Sequence, residues 1–289
     1  EAIINITAGI SLIVVLVISS RPTDKSHPYG HGKVEYFAST FEGGGIFFAG
    51  ILIVIEAISA FLKNNQLQDL SMGIVITILA GGINGLLGYY LKYKGEKEKS
   101  IAIIANGKHL MADFWTSVAI FFGLLFVKFT PYSFIDPLIA ILVGGYLCIE
   151  GYKVLSNSLN NLLDAEDPEV TQSITNLLND NYREGMIQVH SARTIRSGNH
   201  HHIDLHIVVP EFWSIEDGHN FGDNLEKNFL SSYDYDGEFH LHLDPCNKEY
   251  CARCELRNCE IRQDKFQARK LFTPEEIVLP DDLIIFTSD

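Results

Sequence analysis

Long apolar runs alternate with short polar loops up to about residue 160, and a mixed polar pattern follows. The apolar runs predict five helices, at 2–18, 34–62, 71–93, 100–127 and 134–155. Most of them reach the roughly 20 residues that a bilayer requires. Backbone in lipid must satisfy its own hydrogen bonds, which favours helices. We therefore predict an α-helical polytopic membrane domain over residues 1–163.

Shorter periodic elements fill the next segment, 164–245. Asp167-Pro168 is typical of a helix start, and Ser214-Ile215-Glu216-Asp217 of a second one. The predicted elements are a helix from 168 to about 181, strands at 186–195 and 202–209 that meet at Ser197-Gly198, a helix at 214–232 and a strand at 239–243. The order α-β-β-α-β predicts a small two-layer α+β domain. Residues 246–289 form a Cys-rich extension.

Charge separates the two halves. The chain has 36 Asp/Glu against 22 Lys/Arg, and residues 164–245 alone have 16 against 4. Such an acidic domain repels nucleic acid and attracts cations. Basic residues concentrate in the loops at 19–33 and 92–99, so the positive-inside rule places both loops and the acidic domain in the cytoplasm. We expect an integral protein of a bacterial inner (plasma) membrane.

One histidine–aspartate pair lies within the predicted membrane helices. His109 and Asp113 are four residues apart, one turn on the same helix face. Ionisable groups at membrane depth usually mark an ion path, and imidazole with carboxylate binds divalent metals. The alternative is an interfacial pair that only orients the helix end. Glu1 and Asn5 repeat the spacing, so two helices could close a four-ligand site. We assign Glu42 and Asp136 structural roles.

Four of the five cysteines lie within 14 residues of the extension. Cys246, Cys251, Cys254 and Cys259 have the pattern C-x4-C-x2-C-x4-C. Disulfides are disfavoured in the cytoplasm, so thiolate ligation of zinc is the favoured interpretation. An iron–sulfur cluster is the alternative. Cys148 lies alone in the last predicted span and is interpreted as packing.

The run Pro-Thr-Asp-Lys-Ser-His-Pro-Tyr-Gly-His-Gly-Lys at 22–33 resembles the cation diffusion facilitator family, proton-coupled exporters of zinc and related divalent metals. The His109/Asp113 pair matches the site motif of that family. The resemblance covers residues 1 to about 245. It implies a six-helix exporter whose first helix is absent from this chain, which begins with Glu1, and a metallochaperone-like cytoplasmic domain that mediates a homodimer.

The resemblance also implies sites. The transport-site metal would be held by Glu1, Asn5, His109 and Asp113, where Glu1 and Asn5 stand in place of the usual two aspartates. A loop metal would be held by Asp24, His27 and His31, whose alternative role is to cap a turn. Lys33 and Asp164 would form a charge interlock. Cytoplasmic metal ligands would be His190, His206, His219, His242 and Asp244, with Leu243 replacing a polar residue of some relatives.

The function implied is export of divalent transition-metal cations by alternating access, with protons as counter-substrate. Zinc is favoured, with ferrous iron or cobalt next. Histidine side chains titrate at about pH 6.5, so protons and metal compete for one nitrogen. This is transport across a lipid bilayer and not an enzyme reaction. The alternative is a membrane-tethered metal-binding sensor with a degraded transport site.

Overall fold

A computed structural model describes residues 2–63, 71–129 and 135–281, with side chains for 8–62, 79–123 and 137–281. The chain divides into two compact units, Glu1–Leu163 and Asp164–Asp289. The predicted fold class, a helical membrane-type unit followed by a small α+β unit, is confirmed. Each unit is held together by its own internal contacts.

Long helices make up the described part of the first unit. They are α1 (Ala2–Ser19), α2 (Val34–Lys63), α3 (Ser71–Lys97), α4 (Ile101–Phe129) and α5 (Ile135–Leu162). Among residues with described side chains, two stretches are long and apolar enough to cross a membrane, Val34–Leu62 and Pro137–Leu162, and Ala8–Ser19 is a shorter apolar helix. Large apolar side chains such as Leu52, Leu86 and Leu142 are exposed. A soluble protein rarely exposes so much apolar surface, and a lipid-facing bundle requires it.

Two helices extend beyond the prediction, α3 by four residues and α5 by seven. Hydropathy shows only where the apolar residues stop. The helix itself continues until its backbone leaves the helical conformation. Lys99 and Asp164 each have a φ of +54° just after these helices. That left-handed conformation stops helix propagation.

Small residues allow close helix packing in this unit, where α2 packs along α5 and α3 along α4. A Cβ on Gly43 would lie 2.6 Å from the backbone nitrogen of Leu155, and one on Gly107 would lie 2.7 Å from that of Lys92. Larger side chains would force these helices apart. Gly107 thereby lets α4, the helix that carries His109, pack closely against α3.

The second unit has the predicted order: α6 (Pro168–Asp180), β1 (Gln188–Ser197), β2 (His200–Val209), α7 (Ile215–Ser232) and β3 (Asp236–Pro245). Its sheet order, in the described residues, is β1-β2-β3. β1 and β2 are antiparallel and turn at Gly198, whose φ is +67°. β2 and β3 are parallel, joined through α7.

The two faces of this sheet differ. Ile203, Leu205 and Ile207 of β2 are buried with Leu225 and Phe229 of α7 in the main core. The intervening positions of β2 point to the other face, because strand side chains alternate. They are His200, His202, Asp204, His206 and Val208. Imidazoles and acids therefore line the face away from the helices.

The segment after Pro245 belongs to the second unit rather than forming an appendage. A 3-10 helix (Lys248–Ala252) follows β3, and a short helix, α8 (Pro274–Val278), follows an irregular stretch. Phe272 and Ile277 are buried in the main core. The Asn179 side chain donates to the Phe272 carbonyl and accepts from its N–H, both at 3.0 Å. Phe272 and Ile277 thus hold the tail against the main core, although no pattern in the sequence predicted their burial.

Candidate metal sites

The His109–Asp113 pair gains a third member from a neighbouring helix. His109 Nδ1 lies 3.5 Å from Oε2 of Glu42 on α2, and His109 Nε2 lies 3.9 Å from Asp113 Oδ2. Each of the three side chains is less than one-fifth exposed. The Asn106 amide donates to Glu42 Oε1 at 3.4 Å. Sequence reasoning gave Glu42 a structural role by default, as a residue near a helix boundary, although the cost of an acid at membrane depth was a usable signal.

A cavity of about 510 Å³ adjoins this group. Glu42 and His109 line it together with residues of α1, namely Ala8, Ser11, Leu12 and Val15. The Glu42 carboxylate and the His109 imidazole lie at the wall of this largely apolar cavity, and Asp113 contacts His109 from the same helix. This donor set suits a divalent cation, which would offset both negative charges. Glu1 lies outside the described residues, and Asn5 belongs to α1 without a described side chain. Their ligand roles remain predictions.

The polar loop after α1 gathers its three predicted ligands. His27 Nδ1 lies 3.4 Å from Asp24 Oδ1, and His31 Nε2 lies 3.5 Å from Asp24 Oδ2. The backbone N–H groups of His27 and Ser26 donate to Asp24, which lowers the pKa of its carboxyl. His31 is only 11% exposed, and its buried Nδ1 has no hydrogen-bond partner among the described residues. Lys33 and Asp164 belong to different units, so their interlock remains a prediction.

A buried carboxylate near this loop holds three helix ends together. Glu35, at the start of α2, is 8% exposed. Its oxygens accept from the Ser19 hydroxyl at 3.0 Å and from the Ser100 hydroxyl at 2.5 Å. Ser19 ends α1 and Ser100 precedes α4, so Glu35 links the loop-side ends of the helices that line the cavity.

The cytoplasmic unit brings four of the five predicted ligands together. Asp244 Oδ2 lies 3.1 Å from His190 Nε2 and 2.8 Å from His206 Nδ1, and Asp244 Oδ1 lies 3.3 Å from His242 Nε2. A β-bulge at Ser191, whose φ is +52°, separates His190 from the regular strand. Burial lowers the pKa of His190, so its imidazole is neutral and available to a metal.

Two other residues named from the sequence lie away from the His-lined cluster. His219 is 71% exposed on α7, where its described partner is Asp223 at 3.8 Å on the same helix. It therefore lies apart from the cluster formed within one chain. Leu243 packs against the main core. It faces the helices because strand neighbours alternate, so a polar residue there would not reach the His-lined face.

A further group lies at the other end of the same sheet face. His202 Nδ1 and His240 Nε2 lie 3.2 and 3.3 Å from Glu238 Oε2. His200 packs against His202 with ring centroids 4.9 Å apart. Ligand atoms of His200, His202 and Glu238 lie within 4.8 Å of one another, as do those of Asp24/His27/His31 and His190/His206/Asp244. Sequence reasoning missed Glu238, which the parallel β2–β3 register places opposite His202.

The four clustered cysteines all line one small cavity, with Tyr250 and Arg262. Every cysteine thiol of the chain is free. Burial raises the pKa of the Cys246 and Cys254 thiols, so a metal must displace their protons. Among the described residues, the cysteine sulfurs do not form a group whose atoms lie within 4.8 Å of one another. The ligand atoms of the three imidazole–carboxylate groups do.

Two family models match this chain. Residues 1–163 match the family model of the cation efflux transmembrane domain, and residues 167–246 match that of the cation efflux protein cytoplasmic domain. The chain belongs to the cation diffusion facilitator family of metal cation efflux transporters. It is a membrane-integral protein with a cytoplasmic domain of the dimerising kind. Divalent metal cations are the substrates of this family.

Individual relatives share only part of their sequence with this chain. An uncharacterised transporter of Synechocystis sp. is 32% identical over 227 residues, which cover 78% of this chain and 73% of that protein. The cation-efflux pump FieF of Yersinia pestis is 26% identical over 261 residues, 89% of this chain and 85% of that protein. A solved zinc form of CzrB is 24% identical to this chain, and the match covers 28% of this chain and 91% of that one with a TM-score of 0.27.

Proposed function

We propose that this protein exports divalent transition-metal cations from the cytoplasm in exchange for protons. The observation that carries the proposal is the position of His109, which contacts carboxylates of two helices at the wall of a cavity in an apolar bundle. A fixed cation-binding group at membrane depth is costly unless it serves an ion path.

The donor set favours zinc. Imidazole nitrogen suits zinc, iron and copper, whereas magnesium and calcium prefer oxygen donors alone. His109 with Glu42 and Asp113 offers one nitrogen donor and two carboxylates. Glu1 and Asn5 belong to the chain segment that carries α1, one wall of the cavity, and would complete the shell. We rank zinc first, and ferrous iron or cobalt next.

The proposed exchange for protons rests on the same ligand atoms. Each ligand must lose its proton before it binds a metal, so metal and protons exclude one another. Access that alternates between the two sides then couples metal leaving the cell to protons entering it. The loop group Asp24/His27/His31 and the His190 cluster would collect cations on the cytoplasmic side, and the transporter would work as a homodimer. We propose no chemical reaction at any of these sites.

A flux experiment tests this proposal. The purified protein would be reconstituted in liposomes with a pH gradient, and uptake of zinc, iron, cobalt and manganese would be followed beside Asp113→Ala. Gradient-driven uptake of zinc that Asp113→Ala abolishes supports proton-coupled export. Tight binding without flux in the unaltered protein would overturn the proposal and favour a metal sensor tethered to the membrane.

A further inference from the structure

The cysteine loop, residues 246–262, lies beyond the segment that matches the cytoplasmic family model, which ends at residue 246. Its cysteines are separated by four, two and four residues. The 3-10 helix places Cys251 in its last turn, and the N–H of Cys254 then donates to the Tyr250 carbonyl at 3.1 Å. This turn folds the two inner cysteines toward the same side of the loop.

The cavity that the four cysteines share is about 10 Å³ in volume. That is room for a single atom or water molecule. An iron–sulfur cluster contains several irons and sulfides and would not fit without rebuilding the loop. Cys251 and Cys254 are each only 8% exposed. The size of the cavity thus favours one ion over a cluster of several atoms, and Cys251 and Cys254 lie on its buried side.

The charge of the loop also suits a thiolate-bound cation. Four thiolates around one divalent ion carry a net charge of −2. The Arg262 guanidinium donates to the carbonyls of Cys251 at 2.8 Å, Cys254 at 2.7 Å and Leu256 at 2.8 Å. It fixes the backbone on which two cysteines sit and supplies a nearby positive charge. Residues 246–270 contain seven Lys/Arg against four Asp/Glu, the reverse of the acidic domain before them.

Apart from these hydrogen bonds, the cysteine loop has a small apolar core and little regular structure. Tyr250 and Cys254 pack with Ile187 and Val208 in a small second core on the His-lined face of the sheet. Residues 253–273 then form neither helix nor strand. So small an apolar cluster contributes little free energy of folding, and small folds of this kind are commonly completed by a metal.

The loop is connected to the functional cluster through the tail. The Tyr250 hydroxyl donates to Asp281, just after α8. Two residues earlier, the Leu279 carbonyl accepts the N–H of Ser191 at 2.8 Å. Ser191 forms the bulge beside His190, so the ordered cysteine loop holds the tail that supports the backbone of this ligand.

We propose that Cys246, Cys251, Cys254 and Cys259 bind one zinc ion as a permanent structural site, which fastens the tail across the sheet. Thiolates hold zinc tightly in the reducing cytoplasm, where disulfides do not form. Because the cysteine sulfurs do not form a group within 4.8 Å, zinc binding requires them to move closer together. The site is separate from the transported cation, because four thiolates bind too tightly for release in each cycle.

The test uses the whole protein carrying Asp113→Ala, Asp24→Asn, Asp244→Asn and Glu238→Gln, which weaken the four other candidate clusters. Zinc, iron and acid-labile sulfide are measured after dialysis against a mild chelator, with Cys254→Ser compared with Cys148→Ser, the one cysteine outside the loop. We expect one retained zinc per chain, its loss in Cys254→Ser and its retention in Cys148→Ser. Iron with sulfide, or no retained metal, overturns the proposal.

A second measurement avoids variants that fail to fold. Zinc is stripped from the same protein with a strong chelator, and proteolysis within residues 260–281 is followed before and after zinc is restored. We expect cleavage to increase at least tenfold on stripping and to return to its starting rate with zinc. Equal cleavage in both states would overturn the fastening role. Cobalt in place of zinc should give the visible bands of tetrahedral thiolate ligation, and bands of octahedral cobalt would contradict the ligand set.

Discussion

His109 Nδ1 lies 3.5 Å from Glu42 Oε2, across the contact between α4 and α2. The same imidazole faces Asp113 with its other nitrogen. Because the two carboxylates come from different helices, a cation bound here would join α2 to α4. Release of the cation would remove that link, which is what an alternating-access site requires of its ligands.

Glu42→Gln is the sharpest test of this relationship. The amide preserves the size of the side chain and its contact with Asn106 but removes one negative charge. We expect the zinc concentration for half-maximal uptake to rise at least tenfold, which corresponds to about 1.4 kcal/mol of binding free energy. Liposome flux at several zinc concentrations measures it.

Glu56→Gln is the matched control, since Glu56 is an exposed acid on the same helix. It makes the same chemical change away from the cavity, and we expect zinc uptake close to that of the unaltered protein. If Glu42→Gln transported as well as Glu56→Gln, the assignment of Glu42 to the transport site would be wrong.

Asp244 connects three imidazoles of the cytoplasmic cluster, so its charge should dominate metal binding there. In a background of Asp113→Ala, Asp24→Asn and Glu238→Gln, which weakens the other clusters, we expect Asp244→Asn to weaken zinc binding 10- to 100-fold, as measured by calorimetric titration. Asp180→Asn, which changes an exposed acid on α6, serves as control. Unchanged zinc affinity in Asp244→Asn would exclude the cluster as a zinc site.

Patterns in the sequence were sufficient for the elements but not for the contacts between distant residues. The α-β-β-α-β order follows from periodicity, and the start of α6 from Asp167-Pro168. Glu42 could not be paired with His109, because the packing of α2 against α4 depends on tertiary structure. Glu238 was missed for the same reason, since only the β2–β3 register sets it opposite His202. Ile277 belongs to a five-residue helix too short to show periodicity.

That short helix should contribute to the stability of the cytoplasmic unit. The Ile277 side chain is 0% exposed within the main core. We expect Ile277→Ala to lower the free energy of unfolding by about 2–4 kcal/mol through lost burial and a residual cavity. Urea unfolding followed by Trp213 fluorescence, in a Trp115→Phe background, measures it.

Ile215→Ala is the control for this change, because Ile215 is 93% exposed on α7. We expect its unfolding free energy to stay within about 0.5 kcal/mol of the parent. Equal effects of the two substitutions would show that the tail is not part of the core in solution.

The start of α7 should make stability depend on pH in a defined direction. The Ser214 hydroxyl and its backbone N–H donate to Asp217 Oδ2 at 2.6 and 3.1 Å, which lowers the pKa of this carboxyl below its ordinary 3.8. The folded state therefore favours the ionised form. Its contribution is complete above about pH 3.8 and is lost as the pH falls through the lowered folded-state pKa.

Asp217→Asn should consequently lower the midpoint of thermal unfolding at pH 7, and its deficit relative to the parent should shrink as the pH falls toward 3. Asp223→Asn, on the same helix but outside the capping box, should show a smaller deficit at pH 7. The measurement is thermal unfolding in detergent from pH 7 to 3, followed by Trp213 fluorescence. A deficit that stayed constant over this range would mean that Asp217 acts through its shape and hydrogen bonds alone, since only a charged carboxylate loses its advantage on protonation.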